Sequence, residues 1–154
     1  MTDITASFHT GGTTGVPKIA AHTHANPVSM AWMLAASESL NSTDPLIAGL
    51  PLFHVNALLV TGLAPLFIGR RSIWAPPLAY RDREILGRFW KIIEHYRISG
   101  RSAFPTVHGA LAQVPVDADI STLRIRVVGA APLPVAVRSV LRSTPGSSCS
   151  RGTD

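Results

Sequence analysis

Residues 81–104 read RDREILGRFWKIIEHYRISGRSAF and carry the clearest structural pattern of the chain. In residues 81–97 the apolar side chains recur at the spacing of a single helix face: Ile85, Leu86, Phe89, Ile92, Ile93 and Tyr96. This spacing predicts an amphipathic helix whose apolar face lies in the core. Residues 101–104 follow as a short predicted strand. A helix followed at once by a strand is typical of α/β proteins.

The same alternation continues on both sides of this stretch. Further strands are predicted over residues 4–8, 18–22, 46–50, 72–75 and 124–128, and helices over 28–36, 54–67, 106–113 and 134–141. Asn26 and Pro27 resemble a helix N-cap followed by a first-turn proline. Residues 54–67 are apolar nearly all round, which predicts a buried helix. We therefore expect an α/β fold with a mainly parallel sheet and flanking helices. Ligands of such sheets bind at the carboxyl ends of the strands, here after Phe8, Leu50, Phe104 and Val128.

Composition excludes several classes of protein. Of the 154 residues 46% are hydrophobic and 15% are charged, which is not the composition of a disordered chain. No uninterrupted apolar run approaches the roughly 20 residues of a membrane span. The first ten residues, MTDITASFHT, do not resemble a signal peptide. The single cysteine, Cys149, rules out an internal disulfide and argues against a cysteine-based metal site. We expect a cytoplasmic protein.

The net charge of +5 does not mark a nucleic-acid-binding protein. Arginine supplies most of the basic residues, but the arginines are scattered along the chain, and no basic run is interleaved with aromatic residues. We expect no nucleic-acid partner.

The segment between the first two predicted strands, residues 10–18, reads TGGTTGVPK. Its glycines allow backbone N–H groups to turn toward an anion, and Thr13, Thr14 and Lys18 add hydroxyl donors and a positive charge. It is neither a Walker A loop nor a GxGxxG loop. One interpretation is a flexible turn with a solvated lysine. The strand–loop–strand setting favours the other interpretation, a phosphate-binding loop.

In residues 10–18 the sequence resembles the adenylate-forming (AMP-binding) superfamily, which includes acyl-CoA synthetases. TGGTTGVPK is similar to its signature loop Thr-Ser-Gly-Thr-Thr-Gly-x-Pro-Lys, with Gly11 in place of serine. Three shorter motifs follow in the family's order: residues 23–26 (THAN), residues 51–54 (PLFH) and residues 129–133 (GAAPL). The resemblance implies part of the large N-terminal domain of that fold, over residues 1–142.

The resemblance implies an ATP-dependent reaction in two steps. A carboxylic acid and ATP give acyl-AMP and pyrophosphate, and a thiol, usually coenzyme A, then displaces AMP. Mg²⁺ assists in the intact family. The implied partners are thus a small carboxylic acid, ATP and coenzyme A, in an acid–thiol ligase of fatty acid or related metabolism.

The resemblance also assigns site residues. Lys18 and His54 are the candidate catalytic residues, His54 lining the acyl pocket. The nucleotide-binding candidates belong to the loop and to the later turn: Thr10, Gly11, Gly12, Thr13, Thr14, Gly15, Lys18, Gly129, Ala130, Ala131 and Pro132. Taken alone, His54 is better interpreted as a structural residue at a helix N-terminus in a buried turn, and only the resemblance favours the catalytic role.

Other conspicuous side chains have structural interpretations. His22 and His24 form an HxH pair without a nearby carboxylate or cysteine, so we predict no metal site there. The tryptophans Trp32, Trp74 and Trp90 are interpreted as core or interface residues.

Residues 143–154, STPGSSCSRGTD, do not resemble the family. With permissible codons, the same DNA read one nucleotide earlier encodes Leu-Glu-Gly-Tyr-Gly, which is similar to the family's continuation into Tyr-Gly-x-Thr-Glu. We therefore predict a frameshifted tail, an incomplete Mg²⁺ site and no small C-terminal domain. The chain is expected to be an inactive fragment of an acyl-CoA synthetase. The alternatives are a stand-alone nucleotide- or anion-binding module and a protein that docks on a full-length homologue.

Overall fold

The computed structural model describes residues 2–10, 18–37, 45–128 and 149–151. Its first two strands, β1 (Ile4–Thr10) and β2 (Lys18–Thr23), pair antiparallel as a two-stranded sheet of their own. Both strands were predicted, but the mainly parallel sheet expected from the sequence does not include them. Helix α1 (Ala25–Ala36) follows directly.

The parallel sheet lies in the rest of the chain. Its described strands are β3 (Leu46–Ala48), β4 (Ser72–Trp74), β5 (Gly100–Ala103), β6 (Ile125–Val128) and β7 (Cys149–Arg151). They run in the order β4-β3-β5-β6-β7, and every neighbouring pair is parallel. The predicted α/β class is therefore confirmed.

Helical segments connect these strands. A π-helix (Ala57–Leu63) runs directly into α2 (Ala64–Phe67) between β3 and β4. The long connection from β4 to β5 contains a 3₁₀ turn (Ala79–Arg81), α3 (Arg83–Gly87) and α4 (Phe89–Tyr96). Helix α5 (Pro105–Leu111) follows β5.

The single helix predicted over residues 81–97 is divided in two. Asp82 caps α3 by accepting a hydrogen bond from the Glu84 N–H (2.8 Å), and the helix breaks at Arg88, where φ is −103° and ψ is 9°. Gly87 precedes this break, and glycine is a poor helix former. The apolar face nevertheless packs as predicted, since Phe89 and Ile93 are fully buried.

The predicted helix over residues 54–67 is present, but most of it is a π-helix. The Thr61 hydroxyl donates to the carbonyl of Ala57 (2.9 Å) inside this segment. The expectation of burial all round is wrong at its C-terminal end, where Leu66 is 72% exposed and Phe67 48% exposed.

The buried apolar residues of the described chain form two clusters. The larger packs α4 and α5 against the sheet and includes Ile47, Phe89, Ile93, Ile98 and Leu111. The smaller packs α1 and α2 together through Ala31, Ala35, Leu46 and Ala64.

The three tryptophans differ in burial. Trp90 is buried and donates from Nε1 to the carbonyl of Val114 (3.0 Å), so its predicted core position is confirmed. Trp32 and Trp74 are at least half exposed and are not core residues. In the part of the chain that the structure describes, no helix is long and apolar enough to cross a membrane.

Candidate functional site

The glycine-rich segment is the connection of the β1–β2 hairpin. Thr10 and Lys18 are direct partners across the two strands, so the hairpin holds both ends of this segment together. Lys18 is exposed at the first position of β2. The candidates Gly11, Gly12, Thr13, Thr14 and Gly15 lie outside the described residues.

The other end of the hairpin is tied to α1. The backbone N–H of His24 donates to the carbonyl of Asp3 (3.1 Å). The Asn26 side-chain oxygen accepts hydrogen bonds from the N–H (2.8 Å) and the hydroxyl (2.9 Å) of Thr23. The predicted N-cap at Asn26 is therefore wrong: His24 occupies the N-cap position of α1 without a side-chain capping bond. Asn26 and Pro27 lie in the first turn, where a proline needs no N–H partner.

His22 packs within the hairpin. Its ring makes an edge contact with the ring of Phe8, with 5.2 Å between the centroids. Across the described parts of the chain, no three histidine, cysteine, aspartate or glutamate side chains come together as a metal site.

His54 lies beyond the carboxyl end of β3, next to the carboxyl end of β5. Its ring meets the ring of Phe104 edge-on, with 4.8 Å between the centroids. The two loops that the sequence singled out after β3 and β5 therefore meet at one edge of the sheet, as expected for neighbouring parallel strands.

Two polar residues that the sequence analysis did not single out hold this edge together. The Nδ1 atom of His54 accepts a hydrogen bond from the backbone N–H of Asn56 (3.3 Å). The side-chain oxygen of Asn56 accepts from the hydroxyl of Ser102 on β5 (2.7 Å). The position of Asn56 two residues after His54 was a possible signal, whereas nothing local identifies Ser102.

The candidate segment after β6 is located only by its place in the chain. Because β6 pairs parallel with β5, its carboxyl end lies at the same edge of the sheet as Phe104. The candidates Gly129, Ala130, Ala131 and Pro132 come next in the chain and lie outside the described residues.

A buried cationic and aromatic cluster lies nearby in the core. The guanidinium of Arg101 on β5 stands 5.4 Å from the ring centre of Phe89 and 5.7 Å from that of Trp90. Burial raises the pKa of Tyr80 to about 12, although the positive charge of Arg101 acts in the opposite direction. In the sequence Arg101 is one of several scattered arginines, and no local pattern indicates this cluster.

Comparison with known proteins identifies the family. The family model described as AMP-binding enzyme matches residues 1–150. The chain belongs to this family. Solved structures show the same fold for this member of the family. The inhibitor-bound N-terminal domain of FACL13 from Mycobacterium tuberculosis is 30% identical with a TM-score of 0.71, and the alignment covers 87% of this chain and 32% of that one. An ATP-bound RpMatB-BxBclM chimera is 26% identical with a TM-score of 0.78, and the alignment covers 97% of this chain and 29% of the chimera.

Curated relatives of this family member are named as CoA ligases. A marinolic acid–CoA ligase of Pseudoalteromonas sp. (strain SANK 73390) is 34% identical over 154 residues, which is 96% of this chain and 24% of that protein. The long-chain-fatty-acid–CoA ligase FadD13 of Mycobacterium tuberculosis is 30% identical over 132 residues, which is 84% of this chain and 25% of that protein. A 4-coumarate:CoA ligase of Petunia hybrida is 32% identical over 149 residues, which is 91% of this chain and 26% of that protein. The chain thus spans about a quarter of the length of these relatives.

Proposed function

We propose that this chain is part of the N-terminal domain of an ATP-dependent acyl-CoA synthetase. The whole enzyme would join a carboxylic acid to ATP, release pyrophosphate and transfer the acyl group from acyl-AMP to coenzyme A. The family match over residues 1–150 carries this proposal, and the relatives named as CoA ligases support it. Their acids differ, so fatty and aromatic acids are both candidates.

Within that function, residues 10–18 would bind the phosphates of ATP. The pairing of Thr10 with Lys18 supports this role, because it holds the two ends of a glycine-rich segment together on paired strands. Thr13 and Thr14 would donate hydroxyl hydrogen bonds, and Lys18 would add an ammonium charge against the phosphate oxygens.

The acyl group would bind at the carboxyl edge of the parallel sheet. His54 beside Phe104 supports this location, and Gly129, Ala130, Ala131 and Pro132 would form the wall on the β6 side. An acid held there would be recognised through its carboxylate by polar groups and through its body by apolar ones.

Among the described residues, no group of three or more histidine, cysteine, aspartate or glutamate side chains could hold Mg²⁺ through protein ligands alone. No step proposed for this chain is assigned to the ion. We further propose that the chain alone does not turn over, since it spans about a quarter of the length of its relatives.

Calorimetric titration of the purified chain with ATP tests the phosphate-binding role. We expect measurable binding that Lys18→Ala weakens by about ten- to a hundredfold, because a charged hydrogen bond to phosphate contributes about 1.5–3 kcal/mol. Lys91→Ala is the matched control, since Lys91 lies on α4 in an exposed ion pair with Asp117 (3.0 Å). Equal loss in both variants would contradict the assignment of Lys18.

An assay of acyl-AMP formation from octanoate or 4-coumarate completes the test. ATP binding without acyl-AMP fits the proposed inactive domain, and it equally describes a stand-alone nucleotide-binding module. Acyl-AMP formation by the chain alone would contradict the proposed inactivity.

Exposed apolar side chains favour a second candidate function, docking on a full-length homologue. Met30, Trp32 and Met33 on α1 are each 45% exposed or more. Large apolar side chains clustered on one surface element commonly mark interaction sites. Co-elution of this chain with a full-length homologue would support docking, and elution as a separate monomer would contradict it.

A further inference from the structure

The hydrogen bonds at the start of the helical segment determine which nitrogen of the His54 imidazole carries a proton. The carbonyl of His54 accepts the N–H of Leu58 (3.2 Å), which is the first hydrogen bond of the helical segment. N–H groups in the first turn of a helix have no carbonyl partner within the helix. The Asn56 N–H lies in that turn and donates to Nδ1 of His54 instead. The imidazole therefore caps the segment.

This cap determines which ring nitrogen carries the proton. A backbone N–H can only donate, so Nδ1 of His54 must accept. In a neutral imidazole one nitrogen accepts and the other bears the hydrogen. The hydrogen is therefore on Nε2, and no described residue accepts it in a hydrogen bond.

Asn56, whose backbone N–H determines this protonation pattern, is anchored to the sheet through its side chain. Ser102 is almost completely buried on β5, and its hydroxyl holds the side chain of Asn56 at 2.7 Å. This bond joins the start of the helical segment to the neighbouring strand. Phe104 is the second residue after Ser102, and its edge contact with the His54 ring restricts the orientation of the imidazole plane.

We propose that Asn56 and Ser102 are positioning residues that keep His54 in the Nε2–H form, so that His54 donates a hydrogen bond to the carboxylate of the acid substrate. The donor role rests on the proposed function, whereas the tautomer follows from the contacts alone. A carboxylate only accepts hydrogen bonds, so the Nε2–H form suits it and the Nδ1–H form, with an acceptor at Nε2, does not.

Long-range ¹H–¹⁵N NMR spectra of the ¹⁵N-labelled chain in alkaline buffer test the tautomer directly. We expect a protonated-type shift for Nε2 and an unprotonated-type shift for Nδ1 of His54, assigned by comparison with His54→Gln. The reverse pattern, or averaged shifts in the unmodified chain, would overturn the proposal.

Variants then test the positioning role. Ser102→Ala should shift both nitrogens toward averaged values, and Ser102→Thr should restore the single pattern. Ser72→Ala is the matched control, because the Ser72 hydroxyl likewise donates a hydrogen bond, here to the backbone carbonyl of Thr61 in the π-helix (2.6 Å), but has no bond to Asn56. An unchanged His54 spectrum in folded Ser102→Ala would overturn the role of Ser102, and the spectrum of the unmodified chain decides the tautomer even if this variant does not fold.

Octanoate and 4-coumarate are the probes for the donor role. Either acid should move the Nε2 resonance while the tautomer is retained, and the absence of any shift with both acids would overturn that role. The ATP titration with Lys18→Ala reports on the proposed function separately. A wrong tautomer together with Lys18-dependent ATP binding would refute only this inference. The expected tautomer without any ATP binding would refute the proposed function, and with it the donor role, but not the positioning of His54 by Asn56 and Ser102.

Discussion

The aromatic ring of Tyr80 lies against the backbone of Gly49, so closely that a β-carbon at residue 49 would stand 2.4 Å from Cζ of Tyr80. Gly49 directly follows β3 and leads into the turn that carries His54. We expect Gly49→Ala to lower the free energy of unfolding by about 1–3 kcal/mol, because an extra methyl group here displaces a buried ring. Urea denaturation followed by circular dichroism measures this change.

Gly87→Ala is the matched control for that substitution. A β-carbon at Gly87 would meet nothing within 4 Å, and residue 87 is the last residue of α3. We expect this variant to be as stable as the unmodified chain or up to about 1 kcal/mol more stable. Equal destabilisation by both substitutions would show that the Tyr80 contact is not the cause.

Tyr80 should make stability depend on alkaline pH. Burial raises its pKa from 10.0 to about 12. The unfolded chain therefore loses the phenol proton first, and the stabilisation is complete below pH 10 and is lost as the pH rises to about 12. The difference corresponds to about 2–3 kcal/mol. Denaturation curves across this range should show the decline.

Tyr80→Phe should remove most of that decline, whereas Tyr96→Phe should not, since Tyr96 is 46% exposed. The Tyr80 hydroxyl is buried and has no hydrogen-bond partner among the described residues. Its removal should therefore also raise the free energy of unfolding at neutral pH by about 1 kcal/mol. A destabilised Tyr80→Phe variant would contradict the unpartnered hydroxyl.

Arg101→Ala should destabilise the chain by about 2–4 kcal/mol. The substitution empties the space that the arginine fills beside the rings of Phe89 and Trp90, and it removes the buried contacts of the guanidinium. Thermal denaturation measures the effect. Arg71→Ala, at an exposed position, should change stability by less than about 0.5 kcal/mol. Similar values for the two variants would contradict the packing role of Arg101.

Asn26→Ala should loosen the junction between the hairpin and α1. It deletes the acceptor of both hydrogen bonds from Thr23, and we expect a loss of about 1 kcal/mol because the contact is exposed. Asn26→Asp retains the acceptor oxygen and should lose less. Faster hydrogen exchange at the Thr23 amide in Asn26→Ala, but not in Asn26→Asp, would identify the lost bond.

Resequencing of the coding DNA from Leu133 onward tests the proposed frameshift over residues 143–154. The expected result is an alternative frame that encodes Leu-Glu-Gly-Tyr-Gly and continues into Tyr-Gly-x-Thr-Glu. If no frame encodes that continuation, residues 143–154 are the native sequence. Strand β7 (Cys149–Arg151), which pairs with β6, would then be a native strand of the sheet.

Local patterns predicted most of the elements. Alternating strands and helices were enough for the α/β class, and the apolar face of residues 81–97 identified Phe89 and Ile93 as core. Boundaries and helix type were less predictable. The break at Arg88 and the π-helix arise from how the chain packs around the sheet, and no local pattern carries that information.

The candidate site was predicted only in part. The glycine-rich segment and His54 could be found because each belongs to a short run of neighbouring residues. The bond from Ser102 to Asn56 joins residues 46 positions apart. The contact of Arg101 with Phe89 and Trp90 likewise depends on α4 lying against β5. Such pairs are determined by strand order, which a single sequence does not reveal.

The hairpin and the parallel sheet differ in how far apart their partners lie along the chain. Thr10 meets Lys18 across one short connection, whereas Leu46 in β3 meets Gly100 in β5. Hairpins form in microseconds, and pairings between distant segments form more slowly because a longer loop must close. During folding, the ends of the glycine-rich segment should therefore be in place before His54 meets Phe104. The two parts of the candidate site, the glycine-rich segment first and the His54–Phe104 contact second, would thus form in the order in which the chain is synthesised.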